Sequence, residues 1–311
     1  MSFFRWCRNP DVQPIPGDTA QVSETVMNRV ICVVTLLRPR QWLKNLMLFF
    51  PPFLGGTFFY TPVLSRALIP FAAFCAASSA TYILNDIFDR EHDRHHPDKR
   101  TRPIASGQIS PATARFMAAV LLIGGTLAAI YVSGTFLLIL AAYSVISLLY
   151  SARLKELVLV DIFCISAGFL LRLQAGGSAF NIAISEWLFL SVFLLSVFLS
   201  TGKRLAEKQQ LGDKAHHHRK SLTAYPKGFL EGILFMTGGS VLVTYSMYVI
   251  SRHSPLLLYS VPLCCFGLLR YMLRVQSGKG GDPTESLTRD IPLLIVGILW
   301  VMLVGWGIYG G

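Results

Sequence analysis

Long apolar runs alternate with short charged loops along most of this chain. Runs of membrane-spanning length read at residues 41–60, 63–86, 112–132, 135–151, 157–175, 185–202, 229–250, 255–274 and 290–309. About 20 apolar residues are what an α-helix needs to cross the hydrocarbon of a bilayer, and only helices or closed barrels satisfy every backbone polar group there. The pattern therefore predicts an all-α polytopic membrane protein with nine transmembrane helices. Residues 8–24 break it, being polar and holding three prolines. The expected division is a flexible cytoplasmic tail over 1–35 and a single transmembrane domain over 36–311. The opening MSFFRWCRNP has no apolar signal-peptide core, so the mature chain is expected to begin there.

Composition agrees with this class. At 53% hydrophobic and 14% charged residues, with a mean hydropathy of +0.52, the 311-residue chain is too apolar for a soluble domain. Its net charge of +11 raises the question of nucleic acid, which the placement of the charge excludes. Arg and Lys concentrate before the first run and in alternate loops, at 90–102, 153–155, 203–227 and 270–289, while the loops between hold almost none. The positive-inside rule accounts for that alternation. It puts the N-terminus and the charged loops in the cytoplasm and the C-terminus outside, consistent with a plasma (inner) membrane location. Six scattered cysteines without a CxxC pair read as small membrane hydrophobes.

One charged loop carries more than topology. In YILNDIFDREHDRHHPD, Asn85, Asp86, Asp89 and Asp93 follow an apolar run, and on a helix the three aspartates at i, i+3 and i+7 point to one side. Grouped carboxylates repel unless a cation or basic groups neutralise them. Hard oxygen ligands favour Mg²⁺ shared with substrate phosphates, so Asn85, Asp86, Asp89 and Asp93 are the candidate metal ligands and the three aspartates the candidate catalytic residues. The plainer reading is a solvated acidic helix end held by neighbouring bases such as Arg90, Arg94, Lys99, Arg100 and Arg102.

The other cytoplasmic loops supply candidate substrate-binding residues. RPRQWLKN places Lys44 and Asn45 just inside the membrane, where Lys44 either snorkels or serves a site. Lys99, Arg100 and Arg102 follow the acids. Tyr150 and Lys155 precede Asp161, which has no counter-charge in its own apolar segment and needs a partner from elsewhere. Arg172 stands on the same helical face as Asp161, roughly 16 Å further along, lining a cavity or snorkelling outward. Lys203, Arg204 and Arg219 complete the set. His216 to His218 read as a solvated loop, and Asp282-Pro283 as an N-cap followed by a first helical position.

Together, NDxxDxxxD, RPRQWLKN (38–45), YILNDIFDREHDRHHPDKRTRPIASG (82–107), YSARLKEL (150–157), GFLLRLQAGG (168–177), GKR (202–204), HRKSLTAY (218–225) and DPTE (282–285) resemble the UbiA superfamily of intramembrane prenyltransferases. More narrowly, they resemble its decaprenyl-phosphate phosphoribosyltransferase branch. The resemblance spans about 36–310 and implies nine helices around a central cavity. It implies Mg²⁺-dependent transfer of 5-phosphoribose from phosphoribosyl diphosphate to a polyprenyl phosphate, releasing diphosphate. The general family's second DxxxD motif is answered here only by Asp161, with Ile165 four residues on, which argues against a second all-carboxylate metal site. Two alternatives stay open: a prenyltransferase joining a prenyl diphosphate to an aromatic acceptor, and a transporter of anionic substrates. Expected partners are phosphoribosyl diphosphate, polyprenyl phosphate and membrane lipid, without nucleic acid; a homo-oligomer is left open.

Overall fold

The computed structural model describes residues 30–95, 99–211, 222 and 224–310. All regular structure among them is helical. A first helix α1 (30–37) leads into a 3₁₀ helix Pro39–Phe49 and short helices α2 (Phe50–Leu54) and α3 (Thr61–Arg66). Then come α4 (Leu68–Phe88), α5 (Arg90–His95), α6 (Pro111–Val132), α7 (Gly134–Ala152), α8 (Val160–Phe180) and α9 (Glu186–Leu211). The chain ends with α10 (Phe229–Ser251), α11 (Pro255–Leu258), α12 (Ser260–Gln276), α13 (Pro283–Arg289) and α14 (Ile291–Tyr309).

Eight helices among the described residues are long and apolar enough to cross a membrane. The ninth segment expected from the sequence, 41–60, departs from a simple span. Pro51 and Pro52 interrupt its hydrogen-bond ladder, and its first half belongs to a 3₁₀ helix that Pro39 opens. In that winding, side chains three residues apart eclipse. Gln41 and Lys44 therefore form one row, and Trp42, Asn45 and Leu48 another. Arg38 and Lys44 line a polar chamber, while Asn45 and Leu48 are fully buried. An α-helical turn would have rotated these two rows apart.

The helices pack as a bundle in which α4 lies on α6 and α7, α7 on α8, α8 on α9, and α9 on α10. The 3₁₀ segment sits between α4 and α8, and α14 closes against α12 and α2. Without a hydrophobic drive between helices in lipid, such packing relies on small residues that let backbones approach. Gly176 is the sharpest case: a Cβ there would lie 2.1 Å from the Leu48 carbonyl oxygen, so α8 crosses the 3₁₀ segment in backbone contact. Burial is uneven. In the apolar window of α9, 61% of residues are buried, against 6% for α14. The most enclosed of them, α9, carries Lys203, Arg204 and Glu207 of the chamber.

Candidate functional site

The chamber lies at one end of the bundle and encloses about 350 Å³. Its wall is drawn from the 3₁₀ segment, the C-terminal ends of α4, α7 and α9, the N-terminal half of α8 and the start of α13. Among the described residues, seven basic side chains line it (Arg38, Lys44, Lys99, Arg102, Arg172, Lys203 and Arg204) against three acidic ones, Asp89, Glu207 and Asp282.

The acidic cluster keeps the spacing read from the sequence. Helix α4 stops at Phe88 and α5 resumes at Arg90, yet the Asp89 N–H still donates to the Asn85 carbonyl at 2.9 Å. The Asp93 N–H donates to that of Asp89 at 2.8 Å, so helical register carries through the join. Each carboxylate has a basic partner. Arg38 Nη2 lies 2.5 Å from Asp86 Oδ1, and Arg102 Nη1 bridges Asp86 Oδ1 at 3.0 Å and Asp93 Oδ2 at 2.6 Å. Lys155 pairs with Asp89, whose other oxygen accepts from Asn85 Nδ2 at 3.2 Å. Asp86 and Asp93 are buried and stand behind the chamber wall, whereas Asp89 lines it.

Arg38 is held in the left-handed region at φ 54°, directly before Pro39. That combination costs conformational energy and persists only where surrounding contacts over-determine it. The Tyr82 ring, 5.3 Å from the Arg38 guanidinium, and Asp86 supply those contacts.

The donor set suits a hard divalent cation. No three carboxylates among the described residues already converge as a closed cage. Mg²⁺ does not require one, because it is usually held by one or two carboxylates and shares the rest of its shell with substrate phosphates and water. Asp86 Oδ2 and Asp93 Oδ1 accept no hydrogen bond from a protein donor among the described residues, and Arg38, Arg102 and Lys155 now occupy the places of neutralising cations.

Deeper in the bundle, Arg172 resolves the choice left by the sequence. It is buried and turned inward: Nε donates to Asn45 Oδ1 at 2.8 Å, Nη1 to the Gly168 carbonyl at 2.8 Å and Nη2 to Tyr143 Oη at 2.9 Å. None of its partners is a carboxylate. Lys44 likewise has no acceptor within hydrogen-bond reach among the described residues. The carboxylate nearest in effect to Lys44, Asp282, is already paired with Lys203, and Arg172 has none.

Asp161 finds the partner its apolar surroundings demanded. Arg204 Nε lies 2.7 Å from Asp161 Oδ2, near enough for an ion pair though off-line for a hydrogen bond, and both residues are buried. Arg204 also donates to Tyr150 Oη at 3.0 Å and pairs with Glu207. Tyr225 donates to Asp161 Oδ1 at 2.8 Å and accepts the Leu159 N–H at 2.8 Å. Burial pushes the Tyr225 hydroxyl well above its ordinary pKa, aided by the Asp161 carboxylate, so it remains a donor.

Asp282 caps α13 as expected, with Oδ1 accepting the N–H groups of Thr284 and Glu285. Its second oxygen takes Lys203 Nζ at 3.1 Å. Burial alone would raise its pKa; Lys203 and the N-cap bonds outweigh that and hold it below the usual carboxylate value.

Of the candidates read from the sequence, Lys44, Asn85, Asp89, Lys99, Arg102, Tyr150, Arg172, Lys203 and Arg204 meet at the chamber. Asn45, Asp86, Asp93, Lys155 and Asp161 stand behind or beside its wall and contact residues that line it or, for Asp93, share Arg102. Arg100 is exposed and outside it. Arg219 and His216 to His218 lie outside the described residues. Sequence reasoning passed over Arg38, Tyr143, Tyr225 and Glu207 as site residues. Arg38 and Tyr225 sit within motifs already singled out, whereas nothing in the local sequence marks Tyr143.

Fold and chamber together define an integral multi-pass membrane protein with a cation-rich site at one end of its bundle. The chain belongs to the UbiA prenyltransferase family, which matches residues 48–296. It is 32% identical over 298 residues to a decaprenyl-phosphate phosphoribosyltransferase of Mycolicibacterium smegmatis, covering 91% of this chain and 94% of that one. To the Corynebacterium glutamicum protein of the same name it is 33% identical over 290 residues, covering 89% and 86%. Its fold is similar to that of a UbiA homologue from Archaeoglobus fulgidus bound to GPP and Mg²⁺, with a TM-score of 0.70 at 21% identity over 89% of this chain and 98% of that one.

Proposed function

We propose that this membrane transferase moves 5-phosphoribose from phosphoribosyl diphosphate to a polyprenyl phosphate, giving a polyprenyl-phosphoryl-5-phosphoribose lipid and diphosphate. One observation carries the reading. The chamber holds seven basic residues against three acids, with Lys44 and Arg172 lacking carboxylate partners. Arg38, Arg102 and Arg204 are matched by Asp86, Asp93 and Asp161 behind the wall, so the unmatched positive charge rests on Lys44 and Arg172, and a donor with a further 5-phosphate supplies anionic oxygens for it. The names of the relatives at 32–33% identity point to the same chemistry. On this reading the protein sits in the plasma (inner) membrane with its chamber towards the cytoplasm, as a single transmembrane domain.

Asn85, Asp86, Asp89 and Asp93 would hold a divalent metal, Mg²⁺ by their hard-oxygen chemistry. When bound, it neutralises charge on the diphosphate leaving group. Arg102 and Lys155, released from the aspartates, are placed to bind phosphate oxygens beside it. Lys203, Arg204 and Arg172 orient the rest of the donor. In the reaction the bond from ribose C1 to the diphosphate oxygen breaks, the electron pair leaves with diphosphate, and an oxygen of the lipid phosphate forms the new bond to C1. A phosphate monoester is already anionic near neutral pH, so no strong general base is needed and catalysis rests on positioning and charge.

The test is direct. Purified protein with phosphoribosyl diphosphate, Mg²⁺ and polyprenyl phosphate should release diphosphate and form one new lipid. Asp86→Asn or Asp89→Asn should lower turnover by about a hundredfold or more, as loss of a charged ligand implies, in protein that still purifies folded. Wild-type protein that ignores phosphoribosyl diphosphate but prenylates an aromatic acceptor would overturn the reading.

A further inference from the structure

We propose that Tyr225 is a positioning residue for donor binding: its hydroxyl, acting through Asp161, sets the angle at which Arg204 presents its guanidinium to the chamber. The inference rests on phosphoribosyl diphosphate being the donor. Neither Tyr225 nor Asp161 lines the chamber, whereas Arg204 does, as do Tyr150 and Glu207, which take its two terminal nitrogens. Asp161 meets the guanidinium at its third nitrogen, Nε. Arg204 is thus held from behind by a carboxylate and in front by groups that face the ligand space.

The alignment of that rear contact is unusual. Arg204 Nε and Asp161 Oδ2 are 2.7 Å apart and both buried, yet neither atom makes a hydrogen bond among the described residues. A buried charged pair gains most when donor and acceptor are in line, so other contacts must keep this one out of line. On the carboxylate side that contact is Tyr225. Its Oη accepts the Leu159 N–H at 2.8 Å, which leaves its single proton to donate to Asp161 Oδ1, also at 2.8 Å. Rotation of a carboxylate about its last torsion is soft, and this bond pins it.

The rest of Tyr225 is anchored without the hydroxyl. Its carbonyl accepts Lys208 Nζ at 2.6 Å, and Lys208 stands about one turn beyond Arg204 on α9. Its ring stacks on Phe229 and belongs to a buried cluster with Ile162 of α8 and Leu205 of α9. Tyr225→Phe therefore keeps the ring in place and removes only the hydroxyl oxygen. Without that oxygen, Asp161 should turn Oδ2 into line with Nε and draw the guanidinium away from the ligand. The Leu159 N–H, left without its acceptor, should lower stability as a separate effect.

The two effects separate in the kinetics. Arg204 holds the donor in ground and transition states alike, so Tyr225→Phe should raise the donor KM by about tenfold and leave kcat and the acceptor KM unchanged. In an Arg204→Gln background, or in Asp161→Asn should the first fail to fold, the same change should have no further effect on the donor KM. Tyr248→Phe removes a buried hydroxyl that donates to the Leu54 carbonyl near the far end of α10, and should lower the melting temperature without moving the donor KM. A wild-type donor KM in Tyr225→Phe, a fall in kcat at unchanged KM, or the full effect persisting in either background would each overturn the proposal. Wild-type protein that does not turn over phosphoribosyl diphosphate counts against the proposed reaction instead. The positioning role is then read from inorganic diphosphate with Mg²⁺, whose Kd should weaken in Tyr225→Phe and not in Tyr248→Phe; equal Kd values in wild type and Tyr225→Phe would overturn it.

Discussion

Arg172 carries its charge inside a membrane span, where an unpaired cation is expensive and marks function by default. Each of its guanidinium nitrogens donates once, to Asn45, the Gly168 carbonyl and Tyr143, which uses three of five N–H donors and fixes its plane while leaving its charge unmatched by any carboxylate. A ligand phosphate supplies the missing charge. Arg172→Gln should therefore weaken transition-state binding by about 1 to 3 kcal/mol, the scale of a charged hydrogen bond, read as a fall in kcat/KM for the donor. Arg172→Lys should fail to restore it, because an ammonium cannot reproduce the three-way fork. Full rescue by lysine would show that charge alone matters there. The sequence placed Arg172 on the face of Asp161 but left inward and outward orientations open, since helical spacing says nothing about which neighbour covers that face.

At the scale of elements, the contact of α8 with the 3₁₀ segment is the tightest joint supporting the chamber. Gly176→Ala would push a methyl group to 2.1 Å from the Leu48 carbonyl, so one backbone must move. The row bearing Lys44 would move with it. The variant should lose thermal stability in detergent and activity together; a melting temperature within a degree or two of wild type would show that the joint yields cheaply. The junction of α13 and α14 makes a different demand. Asp290 accepts from Arg270 at 3.0 and 3.1 Å, from Arg274 at 3.0 Å and from the Leu293 N–H at 3.1 Å. The Arg270 bonds chiefly, with those from Arg274 and Leu293, lower its pKa from 3.8 to about 2. A carboxylate depressed on folding stabilises fully above its unfolded pKa and loses that contribution as pH falls through the folded value. Thermal stability should thus drop between about pH 4 and pH 2. Asp290→Asn, which retains a capping oxygen but not the charge, should be less stable at neutral pH and flatter across that acid window. An unchanged acid profile would assign the loss to other carboxylates.

For the whole molecule, the donor is the decisive partner because its binding draws on every wall of the chamber at once. A ligand that binds only the folded state stabilises it by mass action, about 2.7 kcal/mol at a hundred times Kd. Phosphoribosyl diphosphate with Mg²⁺ should raise the melting temperature, and either alone should do so less, because metal and diphosphate complete each other's coordination. A prenyl diphosphate with an aromatic acceptor should give no product. Equal protection by phosphoribosyl diphosphate with and without metal would detach the acidic cluster from donor binding.

Hydropathy and charge placement by themselves determined the class, since a membrane admits few ways to satisfy a backbone and each span must be long and apolar. They also determined the acidic cluster, whose i, i+3, i+7 spacing is local and survives the break between α4 and α5. The N-cap at Asp282 was local too. Only the tertiary structure decided how the first segment winds, because three prolines and the backbone contact at Gly176 override its apolar composition. It alone paired Asp161 with Arg204, Asp89 with Lys155 and Asp86 with Arg38, residues 43, 66 and 48 positions apart. Those pairings depend on which helices become neighbours, a property of packing that periodicity along one helix does not contain.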